Sequence, residues 1–273
     1  MAAALAILFG CIVGFALGLT GGGGGVFAVP LLVYGLGVAP REAVGISLAA
    51  VGGTAISGAL PRLLRREVEL RTGLLFAVSG MLGAPIGSYL SKFLPGDVLL
   101  ACFAVLMFIV AFRMWQKSKS PATPQAICEP DSTRERSTCQ RNENGELIFT
   151  SKCARLLILT GLATGVLSGL FGVGGGFVIV PALVLFSGMH IHRAIATSLF
   201  VIVLISASGV LSHFVGRNEF PFALTLEFLV GGFTGMYLGG LLAKRLKGPT
   251  LQKVFATAVV LVAAFVIVKS TLL

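Results

Sequence analysis

Two glycine runs hold the groups best suited to chemistry in this chain. Thr20-Gly21-Gly22-Gly23-Gly24-Gly25-Val26 leads through apolar residues to Pro30, and Phe171-Gly172-Val173-Gly174-Gly175-Gly176-Phe177 leads likewise to Pro181. A glycine inside a helix costs about 1 kcal/mol relative to alanine, so runs this dense should break the helices that enter them. The piece that follows each break starts near Val26 or Phe177 with exposed N–H groups and a partial positive charge. Two such starts facing each other would hold an anion without a buried cation. Broken backbone survives in a bilayer only where protein covers it or where it lines a cavity, and paired breaks point to a transporter's binding site. The expected substrate-binding backbone is therefore Gly22, Gly23, Gly24 and Gly25 with Gly172, Gly174, Gly175 and Gly176.

Two enzyme-like readings of the runs fail. A phosphate-binding P-loop ends in Gly-Lys-Ser/Thr, whereas Val26 or Phe177 follows here. A dinucleotide fingerprint places its third glycine where Phe177 stands, and nothing suggests a soluble βαβ unit. Close helix packing is the competing structural role; it suits isolated glycines such as Gly80 and Gly235, but does not require several in succession before a half-helix.

Hydroxyls supply the other donors. Ser47, Thr197 and Ser198 lie one or two turns past the half-helices, where they can donate to oxyanion oxygens or bond back to carbonyls of their own helix. The same two readings apply to Thr20 and Ser168 beside the runs. Glu227 is a carboxylate well inside a full span, with Leu75 as its counterpart in the first half, and is the candidate for coupling proton movement to anion movement. Its other reading is a place near the interface, since Pro221 begins that span. Arg41, His192 and Arg193 follow the half-helices and either attract an anion or sit at the headgroups. No paired carboxylates, Ser/His/Asp set or metal-ligand cluster is apparent, so no enzyme activity, catalytic residue, cofactor or metal is expected. The five cysteines form no C-x-x-C pair and suggest neither a zinc site nor a disulfide framework.

These groups are positioned by an internal duplication. Pro30 aligns with Pro181 at an offset of 151 residues, and the same offset carries Arg41-Glu42-Ala43 onto His192-Arg193-Ala194 and Ser47-Leu48 onto Ser198-Leu199. The 273 residues are 56% hydrophobic and only 12% charged, against roughly 25% charged for soluble domains. The expected fold is thus an all-α membrane protein of about eight transmembrane helices in two homologous halves, each with a glycine-broken half-helix. The halves are residues 1–115 and 153–273, joined by a polar, proline-containing linker at 116–152. The N-terminal run Ala2 to Leu19 lacks a preceding basic residue and reads as a retained helix. Gly80, Gly83 and Gly87 share one helix face, as do Gly232, Gly235 and Gly239, and each face should pack on another helix.

The net charge of +10 falls mostly in short loops. Arg62, Arg65, Arg66 and Arg71 place the loop before the third span in the cytoplasm, while Lys244, Arg245 and Lys247 argue the other way. No basic face with interleaved aromatics lies outside the membrane loops, so no nucleic-acid partner is expected. The expected partners are a small anionic substrate and the lipid bilayer, with assembly into a homo-oligomer left open.

The order of glycine run, apolar stretch, proline, then Arg41-Glu42-Ala43-Val44-Gly45-Ile46-Ser47 or His192-Arg193-Ala194-Ile195-Ala196-Thr197-Ser198 resembles the paired signature of the TauE/SafE family of sulfite and organic-anion exporters. Both repeats show it, and the second copy is closer: the first has five glycines and Gly45-Ile46-Ser47 where the second has Ala196-Thr197-Ser198. The resemblance implies a secondary transporter that moves sulfite, sulfonates or other small organic anions across the cytoplasmic membrane.

Overall fold

The structure, a computed structural model, describes residues 2–96, 98–99, 101–103, 105–106, 151–187, 189, 191–215 and 221–243. The named elements among them are all helical: α1 Ala2–Thr20, α2 Gly25–Pro30 continued by a π-helical turn Leu31–Gly35, α3 Pro40–Leu64, α4 Leu70–Ser91, α5 Ser151–Phe171, α6 Gly176–Ser187, α7 Ile191–Val215 and α8 Phe222–Ala243. Among the described residues, α1, α3, α4, α5, α7 and α8 are long and apolar enough to cross a membrane, making six candidate spans. Two further expected spans, Val98 to Trp115 and Leu251 to Val268, fall wholly or largely outside the described residues, as does nearly all of the linker at 116–152.

Local chemistry explains the boundaries. The glycine runs end α1 at Thr20 and α5 at Phe171, and new helices begin at Gly25 and Gly176. Pro30 then widens α2 into its π turn, because the proline ring lacks an N–H and crowds the preceding turn. Gly37 closes the segment at φ +69°, the left-handed conformation that only glycine adopts without penalty. Pro40 stands in the first turn of α3, where its missing N–H costs nothing, with Glu42 beside it and Arg62 in the last turn to complement the helix dipole. A loop is the expectation from Pro61 onward, yet α3 continues through that proline to Leu64. A proline so near the C-terminus removes a single ladder bond, which the surrounding packing tolerates.

The helices pack crosswise. α1 lies along α8 and α4 along α5, while α3 and α7 form the central pair. The glycine faces make the seams: a Cβ on Gly14 would lie 2.8 Å from the Gly232 Cα, and one on Gly87 would lie 2.8 Å from the Leu170 nitrogen. Small residues at these positions let backbones touch, the main source of helix association where lipid competes for apolar contact. Leu74, Val78, Leu82 and Ile86 of α4 and Phe222, Leu226, Val230 and Tyr237 of α8 are exposed, as helices facing hydrocarbon require. Leu48, Phe76, Ile179, Leu183 and Leu199 are fully buried between the layers.

One cysteine corrects the sequence reading. Cys153 of α5 is buried and disulfide-bonded, although the spacing suggested no such bridge. Pairing depends on Cα separation and side-chain direction in the fold, which spacing along the chain does not encode.

Candidate functional site

The two glycine runs meet at the middle of the molecule. Gly21 to Gly25 and Gly172 to Gly176 are all buried. A Cβ on Gly22 would lie 2.5 Å from the Gly176 carbonyl oxygen, and Gly25 abuts the Val173 carbonyl in the same way. Gly22 and Gly25 correspond to Val173 and Gly176 at the offset of 151, so the two close approaches are related by the duplication. The breaks cross against Val51 of α3 and Ile202 of α7, each the twelfth residue of a 25-residue helix.

Two serines lock the crossing. The Ser47 hydroxyl on α3 donates to the Gly172 carbonyl at 2.5 Å, and the Ser198 hydroxyl on α7 donates to the Gly21 carbonyl at 2.5 Å. Ser198 also lies 2.9 Å from the Ile195 carbonyl of its own helix. Gly21 and Gly172 both have positive φ, +74° and +71°, and both press on the opposite half: a Cβ would lie 2.9 Å from the Ile195 Cα and 2.6 Å from the Val44 Cα respectively. Each half therefore grips the break of the other through one hydroxyl and one glycine.

The two breaks differ in their polar lining. In the first, the Thr20 hydroxyl donates to the Ala16 carbonyl at 2.7 Å and accepts from the Gly23 N–H at 2.9 Å, so its hydrogen-bonding capacity is used locally. Gly24 is wedged against the backbone of Val13 and Leu17 in α1. In the second, Gly174 and Gly175 both take positive φ, +70° and +69°. The Ser206 hydroxyl of α7 faces Gly174, 3.5 Å from where a Cβ would stand, and Ser168 of α5 faces Gly175 with Cβ to Cβ at 3.5 Å. Ser168 and Ser206 are buried, and neither hydroxyl oxygen has a hydrogen-bond partner among the described residues.

The remaining expected site residues lie elsewhere. Thr197 is buried, but its hydroxyl accepts from the Glu69 N–H at 3.1 Å and approaches the Met189 sulfur at 3.7 Å, so it ties α7 to the start of α4. Glu227 is partly buried on α8, and the two residues after it pack on α1 and α3: Phe228 meets Gly10 and Leu229 meets Gly53. None of the glycine contacts at the crossing reaches it. Arg41 is exposed and donates to the carbonyls of Lys92 and Leu94 at 3.1 and 3.0 Å, a cap on the end of α4. Among the polar groups at the crossing, the sequence reading missed Thr164, whose methyl meets Gly175, and also Ser206. The signal for Ser206 was present, since the offset of 151 pairs it with Ala55 and so marks a hydroxyl present in one half alone.

Chemically, the crossing offers neutral donors among the described residues: the two unpartnered hydroxyls and the first two amides of α6, Gly176 and Phe177, since those of Val178 and Ile179 already bond the Gly175 carbonyl. Such groups stabilise an anion by hydrogen bonding and dipole, with no counter-charge.

Residues 6–266 match a family model described as Sulfite exporter TauE/SafE. A "Probable membrane transporter protein" of Xylella fastidiosa is 36% identical over 268 residues, covering 96% of this chain and 93% of the relative. The "Probable membrane transporter protein YunE" of Bacillus subtilis is 29% identical over 270 residues, covering 96% of each. No solved structure matches the chain.

Proposed function

We propose a transport function from one premise: the chain belongs to the sulfite exporter TauE/SafE family, and with six candidate spans it is a multi-pass membrane protein. On our reading it is a secondary transporter, not an enzyme, that moves a small anion such as sulfite, a sulfonate or another organic anion across the cytoplasmic membrane. Its direction is export, coupled to the proton gradient. The observation that carries this reading is the crossing of two broken helices, Gly22 on Gly176 and Gly25 on Val173, with the unpartnered buried hydroxyls of Ser168 and Ser206 beside it.

The proposed architecture is eight spans in two homologous halves, with Val98 to Trp115 and Leu251 to Val268 as the fourth span of each. It is supported by the matched element bounds: Gly25 and Gly176 begin the half-helices, and Pro40 and Ile191 begin central helices of equal length. It is supported also by the crosswise packing of α1 on α8 and α4 on α5, which an exchange of halves reproduces. Alternating access would proceed by one part of the bundle rocking against another, with the serine bonds at Gly21 and Gly172 either kept or exchanged as the crossing opens. Within this scheme Gly22 to Gly25, Gly172 and Gly174 to Gly176 form the backbone of the site. Ser47 and Ser198 position that backbone, Thr197 steadies α7, and Glu227 carries the coupled proton. The test is flux of radiolabelled sulfite and of taurine into proteoliposomes with and without a pH gradient. Saturable, gradient-following flux supports the reading; unsaturable flux would make the protein a channel.

A further inference from the structure

We propose that the substrate site is one-sided: Ser168 of α5 and Ser206 of α7, flanking Gly174 and Gly175 at the start of α6, form an oxyanion-binding subsite that the first half does not duplicate. The inference rests on the transport reading and specifies where within the crossing the anion's oxygens sit.

Three observations meet here. Ser168 is 0% exposed and Ser206 1% exposed, and each has an oxygen without a partner among the described residues. An unpaired buried hydroxyl destabilises a fold, so two of them beside one glycine pair call for an occupant that satisfies both. The hydroxyls of Ser47, Ser198 and Thr20 are already donated to carbonyls, and that of Thr164 on the same wall donates to Thr160. Finally, the duplication places Leu17 and Ala55 where Ser168 and Ser206 stand, so the corresponding side of the first break is apolar.

Gly174 and Gly175 have positive φ and no Cβ, so the break itself adds no side chain beside the two serines, and the neighbouring methyls stand close. A Cβ on Gly175 would lie 2.7 Å from the Thr164 methyl, and one on Gly174 3.1 Å from a Val51 methyl. The donors belong to three elements: Ser168 of α5, Ser206 of α7 and the Gly176 and Phe177 amides of α6, the next two amides being bonded to the Gly175 carbonyl. Three donor elements suit a head group with three oxygens, as in sulfite or a sulfonate, better than a planar carboxylate with two. Among the described residues the lining is neutral, so hydrogen-bond geometry selects the ligand and a fixed charge does not.

Purified protein in detergent tests this by thermal melting against sulfite, and against acetate as the two-oxygen comparison, for wild type, Ser168→Ala, Ser206→Ala and the double variant. A ligand that binds the native state raises the melting temperature with concentration, which yields an apparent Kd for each. The expected result is about tenfold weaker sulfite binding for each single variant and a larger loss for the double. The ligand-free melting temperatures should equal or exceed wild type, because an unsatisfied hydroxyl has been removed. Unchanged sulfite binding in the double variant would overturn the subsite while leaving the transport reading in place, as would acetate binding as tight as sulfite. Ligand-free melting that falls in both single variants would assign the hydroxyls a structural role and overturn the proposal as well. Wild-type protein that binds no sulfur oxyanion would remove both readings together.

Discussion

The Ser47 hydroxyl donates a 2.5 Å hydrogen bond to the carbonyl of Gly172, joining α3 to a break 125 residues away in the chain. Ser198 makes the corresponding bond to Gly21. Both serines are buried, so removing either hydroxyl leaves a carbonyl that water does not reach. Ser47→Ala and Ser198→Ala are each predicted to lower stability by about 1–3 kcal/mol. Unfolding in detergent followed by circular dichroism checks this, and two variants as stable as wild type would refute the clasp.

Backbone contact at the crossing predicts sharp intolerance to a methyl group. Gly22→Ala places a Cβ 2.5 Å from the Gly176 carbonyl oxygen, so the breaks must separate and transport is expected to be lost. Gly174→Ala also forces alanine into a left-handed conformation, costing about 1–2 kcal/mol. Gly240 is the internal control, because nothing lies within 4 Å of its added Cβ. Gly240→Ala in α8 should retain full flux and gain up to about 1 kcal/mol. Equal flux in all three variants would contradict the crossing.

The helix seams should respond differently. Gly83 packs on Leu162 and Val166 of α5, and Gly235 on Cys11 and Phe15 of α1. Gly83→Leu and Gly235→Leu should reduce the yield of monodisperse protein to a similar extent, because they wedge apart corresponding seams. Size-exclusion profiles measure it; a large difference between the two would show that the seams are not equivalent.

Much of this was legible in the sequence, for identifiable reasons. A glycine run cannot stay helical, so the breaks at Thr20 and Phe171 and the restarts at Gly25 and Gly176 follow from composition. Glycines spaced by three and four mark a packing face, and Gly83, Gly87 and Gly235 do lie in seams. Which helix fills each seam was not legible, since periodicity reports that a face is buried and is silent on its partner. The hydroxyls were hardest. For Ser47 and Ser198 the sequence allows a ligand or their own helix; both bond the glycine of the opposite half, a partner visible only once the breaks cross, and Ser198 bonds its own helix as well. Thr197 lies one residue from Ser198, yet a helix turns about 100° per residue, which points it to Glu69 instead.

Glu227 allows a test of coupling separate from binding. If it carries the proton, Glu227→Gln should abolish the response of sulfite flux to a pH gradient while leaving the apparent Kd for sulfite unchanged. The measurement is counterflow with sulfite on both sides of the proteoliposome membrane, compared with gradient-driven uptake. Gradient-driven uptake that persists in Glu227→Gln would remove the residue from the coupling path.

Transport through the crossing is best measured as the initial rate of radiolabelled sulfite uptake, across a range of concentrations, into proteoliposomes holding wild type or Gly174→Leu at equal protein density. Wild type should show saturable flux that follows an imposed pH gradient, and Gly174→Leu only background flux despite normal reconstitution. Flux that rises without saturation, or that is the same in wild type and Gly174→Leu, would contradict transport through the crossing of the two broken helices.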